Sequence, residues 1–230
     1  MRIRNLFVAA AALALSAGAS QAALITTDAA YTGPDLDLTG YDNGSYNFTY
    51  GPVAVGEFTF TRDNTANNSG QGAVVGQGGY GLADNGSFGG NAVYIGVDGG
   101  TGFGYLKGAK AYSQMGFFFN YAVSGGRPFG DFPIISALDL NGNVLEEYNL
   151  MTDAPISTPG GFNQFQFRGI TRDTADIYGF RFGGSYILAS GTATGDVIGG
   201  IPEPTTWALM ILGFGSAGAM LRRRRTSYAL

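Results

Sequence analysis

The sequence predicts an all-β protein: an antiparallel β-sandwich of jelly-roll-like arrangement between two terminal targeting segments. Three observations predict it. No segment between residues 23 and 201 joins a 3.6-residue apolar period to a helix cap. The strong signals there have period two, or are short apolar and aromatic runs bounded by glycine and asparagine. Glycine accounts for 39 of 230 residues, with 13 tyrosines and 17 phenylalanines, which suits aromatic strands joined by tight turns.

Nine strands are expected in chain order, at 46–50, 56–61, 92–97, 115–122, 134–140, 144–150, 164–168, 177–182 and 186–189. In Glu57-Phe58-Thr59-Phe60-Thr61 aromatic and polar residues alternate, as a half-buried strand requires. Gln164-Phe165-Gln166-Phe167-Arg168 repeats the alternation. Phe117-Phe118-Phe119 is apolar on both faces and reads as a central strand. The clearest unit is 134–150, two strands joined by Asn141-Gly142, a strong hairpin signal. The glycine-laced stretch 70–104 reads either as a long loop or as edge strands. Residues 190–201 are small and polar enough for a linker. The expected division is therefore 1–22, a body over 23–189, the linker, and a tail over 202–230.

The N-terminus has the three parts of a secretory signal peptide. Arg2 and Arg4 precede a 12-residue apolar run, Leu6 to Ala17, and Ser20 and Ala22 stand at −3 and −1 of a signal peptidase cut before Ala23. The run is short for a membrane span, which needs about 20 residues. At the other end, Pro202-Glu203-Pro204 is rigid and extended. Trp207 to Leu221 is uncharged and apolar, a transmembrane helix of about 22 Å, and Arg222, Arg223, Arg224 and Arg225 would stop transfer at the cytoplasmic face.

This tail resembles the PEP-CTERM sorting signal of Gram-negative bacteria in its PEPxxWA variant, through Pro202, Glu203, Pro204, Trp207 and Ala208, the glycine-containing span and the four arginines. The resemblance implies recognition by exosortase, a membrane protease-transpeptidase. It implies processing near Pro-Glu-Pro and transfer or release of the body to the cell surface or extracellular matrix, in organisms that make exopolysaccharide. The alternative reading of the tail is an ordinary single-pass anchor.

Composition narrows what the body can do. The 23–201 segment holds seven basic residues against sixteen acidic ones, a net charge of −9, so no basic stripe is left for nucleic acid. Cysteine and histidine are both absent, which removes disulfides, thiolate chemistry and every histidine-based catalytic arrangement. Asp139-Leu-Asn141-Gly-Asn143 opens like an EF-hand loop, but Val144 stands where its glycine belongs and Leu150 where its glutamate belongs. A hairpin turn is expected there instead. A structural calcium with other oxygen ligands stays open. Glu146 and Glu147, adjacent on a strand, must point to opposite faces, so they cannot act as a glycosidase pair. Tyr31, Tyr41, Tyr46, Tyr80 and Tyr112 lie near Asp- and Asn-rich turns, where a ring could stack on a sugar or half-bury in a sandwich. The expectation is a non-enzymatic surface or matrix protein associated with exopolysaccharide. The alternative is a carbohydrate-active enzyme, a glycoside hydrolase or lyase, on a sandwich fold.

Overall fold

The computed structural model describes residues 22–49, 51–63, 73–81 and 83–191. Its strands in chain order are β1 (Ala23–Ile25), β2 (Tyr46–Thr49), β3 (Val53–Val55), β4 (Phe58–Arg62), β5 (Ala73–Gln77), β6 (Tyr80–Gly81), β7 (Ser87–Phe88), β8 (Val93–Val97) and β9 (Phe103–Tyr112). They continue with β10 (Gln114–Tyr121), β11 (Val123–Ser124), β12 (Arg127–Pro128), β13 (Gly130–Leu138), β14 (Val144–Asn149), β15 (Gln166–Thr171), β16 (Ile177–Ser185) and β17 (Ile187–Ser190). One 3-10 turn, Ala83–Asn85, is the helical element among the described residues. No helix there is long and apolar enough to cross a membrane.

Two antiparallel sheets make the body. One has the order β1-β15-β10-β17-β8-β5-β2 and the other β14-β13-β16-β9-β4-β3. Each of the nine expected segments contains a strand, with ends shifted by up to four residues. The two sheets share one core. Phe117, Phe119, Ile95 and Ile187 come from the first, and Phe60, Leu106, Phe180 and Phe182 from the second. Phe180 is edge-on to Phe117 at 5.6 Å and stacks on Phe119 at 5.9 Å, so aromatic contacts join the layers at their centre.

Among its described residues the stretch 70–104 is not one long loop, and its edge strands are the short pair β6 and β7. It supplies β5 and β8, interior to the seven-stranded sheet, and the start of β9, interior to the other. A second apolar cluster covers the outer face of the seven-stranded sheet, with Val74, Tyr94 and Leu188 beneath Phe88 and Phe165. Buried on both faces, β5 and β8 have no polar alternation to display. The Gln164-Phe165 start also differs from expectation. Phe165 is buried with φ +34°, and pairing begins only at Gln166.

The cover is pinned by buried amides. Asn85 Nδ2 donates to Asn120 Oδ1 at 2.9 Å, Asn120 Nδ2 donates to Thr158 Oγ1 at 2.8 Å, and Thr158 N donates to Asn85 Oδ1 at 2.6 Å. Each polar group so buried needs its partner, which fixes the 83–88 and 154–163 segments onto the sheet. The β13–β14 hairpin turns through 139–143 with a register shift at Ala137/Leu138. Asp139 Oδ1 accepts from Asn141 N and Asn143 N, both at 2.8 Å, and Gly142 takes φ +85°. The Asp-x-Asn-Gly-Asn run is a turn, as its chemistry requires.

Candidate functional site

Residues 26–42 leave β1, cross one end of the two sheets and reach β2. Along this strap Pro34, Leu36 and Leu38 are buried while Asp35, Asp37 and Thr39 are exposed. The strap behaves like a strand edge that closes the core. Tyr31 anchors it: its hydroxyl donates to Pro34 O at 2.8 Å and accepts from Gly116 N at 3.1 Å, and its ring lies 4.9 Å from Phe167.

Clefts open on either side of the strap. One of about 420 Å³ is lined by Tyr31, Phe118 and Phe167 with Asp28 and Asp35. The other, about 730 Å³, is lined by Asp35, Asp37, Asp42, Asn91 and Ser190. Neither lining includes a basic residue. The Thr39 hydroxyl and amide hold the Asp37 carboxyl below its usual range, so it stays ionised. Such walls offer hydrogen-bond acceptors to hydroxyls. Among the described residues no group of three or more Asp or Glu stands close enough to hold a metal ion.

The three glutamates of the body are tied to cations. Glu57 pairs with Lys110 at 2.8 Å and accepts from the Tyr112 hydroxyl. Glu146 pairs with Arg172 at 2.9 Å, which also holds Asp176 at 2.7 Å. Glu147 pairs with Arg181 at 2.5 Å and accepts from Ser136 Oγ at 3.0 Å. Glu146 and Glu147 thus reach different partners, as neighbours on a strand must. Lys110 keeps Glu57 below its usual range, and Arg172 does the same for Asp176. A general acid needs the opposite shift.

Asp98 has that shift but not the position. It directly follows β8 at 4% exposure, outside the lining of both clefts, and burial pushes its carboxyl up to about 6 against the pull of Arg62. Because the folded state holds this proton more tightly than the unfolded chain, its contribution is present below about pH 4 and is lost as pH rises through about 6. Asp98→Asn keeps the shape without the charge. It should match the parent at pH 4 and exceed it by about 1–2 kcal/mol at pH 8 in urea unfolding. An equal or lower stability at pH 8 would refute the assignment.

Of the tyrosines singled out in the sequence, only Tyr31 lines either strap cleft. Tyr41 donates to Ala54 O at 3.0 Å, and Tyr112 is spent on Glu57. Tyr46 and Tyr80 pack on each other at 4.7 Å beside the second apolar cluster. All five are half-buried packing residues, and the structure does not gather them into one stacking face. Asp98 went unread because nothing in Val97-Asp98-Gly99 distinguishes a buried carboxylate from a turn.

Ala22 precedes β1, so a cut after it would leave Ala23, the first residue of the sheet, as the new N-terminus. The body's last strand, β17, runs through Ser190, whose hydroxyl donates to Val93 O at 2.8 Å, one residue into the expected linker. Pro202, Glu203, Pro204, Trp207, Ala208 and Arg222 to Arg225 lie outside the described residues. Residues 200–225 match the family model described as the PEP-CTERM protein-sorting motif. This motif implies exosortase as the processing partner and export with C-terminal membrane anchoring. No curated protein and no solved structure matches the chain.

Proposed function

We propose, taking the PEP-CTERM sorting motif at 200–225 as premise, that this chain is an exosortase-processed, non-catalytic protein of the cell surface or extracellular matrix. Its body is a jelly-roll-like sandwich displayed among exopolysaccharide. The motif carries the reading. The pairing of Glu57, Glu146 and Glu147 with cations supports the non-catalytic part, and so does a chain without histidine or cysteine. The acidic, hydroxyl-accepting strap clefts suit weak contact with neutral glycan. Anionic glycan meets a body of net charge −9 and would need a bridging divalent cation.

Processing near Ala22 and near Pro202 should leave a product of roughly 180 residues, outside the cells. Intact-mass analysis of exported material from a strain with exosortase, beside one without it, checks this. Full-length chain held in the inner membrane of both strains would overturn the sorting reading. Release of reducing ends from matrix polysaccharide would overturn the non-catalytic one.

A further inference from the structure

Both exits of the body share one end. Ala23 is level with Gln114 through Thr171, and β17 runs antiparallel to β10 from Ile187 toward that same end. The opposite pole begins past Tyr121, about 24 Å from Gln114 along β10 at about 3.4 Å per residue.

Segment 127–132, Arg-Pro-Phe-Gly-Asp-Phe, forms part of that pole. Phe129 N donates to Ala122 O at 3.2 Å, Ser185 Oγ donates to Phe129 O at 3.1 Å, and Asp131 N donates to Gly100 O at 2.9 Å. Gly130, at φ +110°, lies so close to Gly100 that a Cβ would stand 1.8 Å from its carbonyl oxygen. The backbone is therefore fixed. Yet Phe129 is 43% and Phe132 55% exposed, and Arg127 and Asp131, both exposed, join no ion pair among the described residues.

We propose that this pole is a homotypic contact, in which the Arg127–Phe129–Asp131–Phe132 patch of one copy docks on the same patch of a second copy. A two-fold axis sets Arg127 of each against Asp131 of the other, with the phenylalanines between them. Such a patch complements itself. A second copy satisfies both its charges, whereas an anionic or a neutral polymer satisfies one or neither. With two half-exposed aromatics a side, the area falls below the roughly 1,200 Å² of a stable pair, so single contacts are weak. Copies displayed densely would multiply them. The fixed backbone spares the ordering cost that weakens small interfaces. None of this depends on the sorting reading, because the patch belongs to the body.

The chain has no cysteine, so Gly199→Cys in the full-length protein gives one coupling point at the exit end. Beads bearing this protein should clump. Phe129→Ser with Phe132→Ser should slow clumping at least tenfold. Beads with Arg127→Glu alone, or with Asp131→Arg alone, should stay dispersed. Mixing those two populations should restore clumping, and so should combining both charge reversals in one chain. Circular dichroism checks each fold. If a phenylalanine variant misfolds, the charge variants decide alone. Dispersed parental beads, including beads that instead take up polysaccharide, would overturn the proposal. So would parental-rate clumping of the phenylalanine variant, or a mixed population that stays dispersed.

Discussion

Phe180→Ala should cost about 4 kcal/mol of stability, within the range of about 3–5 for a buried phenylalanine. Phe180 is fully buried on β16 and touches Phe117 and Phe119 on β10, so it packs where the two sheets meet. Opposed sheets fixed by their own ladders cannot collapse into the gap, which places the cost at the upper part of that range. For a body of this size the melting temperature should fall by about 10–15 °C. Urea unfolding checks the free energy. A loss below about 1 kcal/mol would show that the layers repack freely. Phe132→Ala, at the exposed pole, is the contrasting control and should stay within about 0.5 kcal/mol.

Arg168→Met should destabilise the body by a similar amount, about 3–5 kcal/mol. Arg168 is 5% exposed and no carboxylate pairs with it among the described residues. Main-chain oxygens hold it instead. Its Nε donates to Ala154 O at 2.8 Å, Nη1 to Phe167 O at 2.6 Å, and Nη2 to Pro155 O at 2.7 Å. Burial lowers the guanidinium pKa, but the group stays charged, since arginine is not deprotonated in proteins. Methionine fills the volume and takes the donor from three carbonyls, two of them in buried hydrogen bonds. Lysine should not rescue, because one compact ammonium cannot reproduce the planar fork. Amide exchange should show the 154–158 segment losing protection before β10 does. Uniform loss across both would mean that Arg168 does not act through that segment.

The strands legible in the sequence are those with one wet face, or with enough phenylalanine to force burial. Phe58 and Phe60 point inward and Thr59 outward, as their alternation requires. β5 was hidden because both its faces are covered, whereas β8 was legible as the apolar run 92–97; β9 was hidden because glycine and alanine occupy many of its positions and blur its period. Arg168 reads as the polar partner of an alternating strand, yet it is buried, because tertiary carbonyls satisfy it better than water alone would. The sorting residues were readable because their order and spacing are the signal. The strap clefts were not, since they arise where residues 28–42 meet Asn91, Phe167 and Ser190 from distant parts of the chain. The five tyrosines show the limit of composition: aromatic rings beside polar turns serve packing as readily as binding.

The position of β17 has a mechanical consequence. The last strand of the body lies in the interior of its sheet, bonded to β10 on one side and β8 on the other. Tension on the tail after Gly191 therefore acts along a strand gripped from both flanks. A strand at an edge would peel one bond at a time. Here the ladders Phe118↔Ser190 and Ile187↔Val97 must slide together, with Leu36 of the strap packed over the exit. Force would be resisted in shear, and how long the body survives a pull would follow its forced-unfolding rate rather than its equilibrium stability.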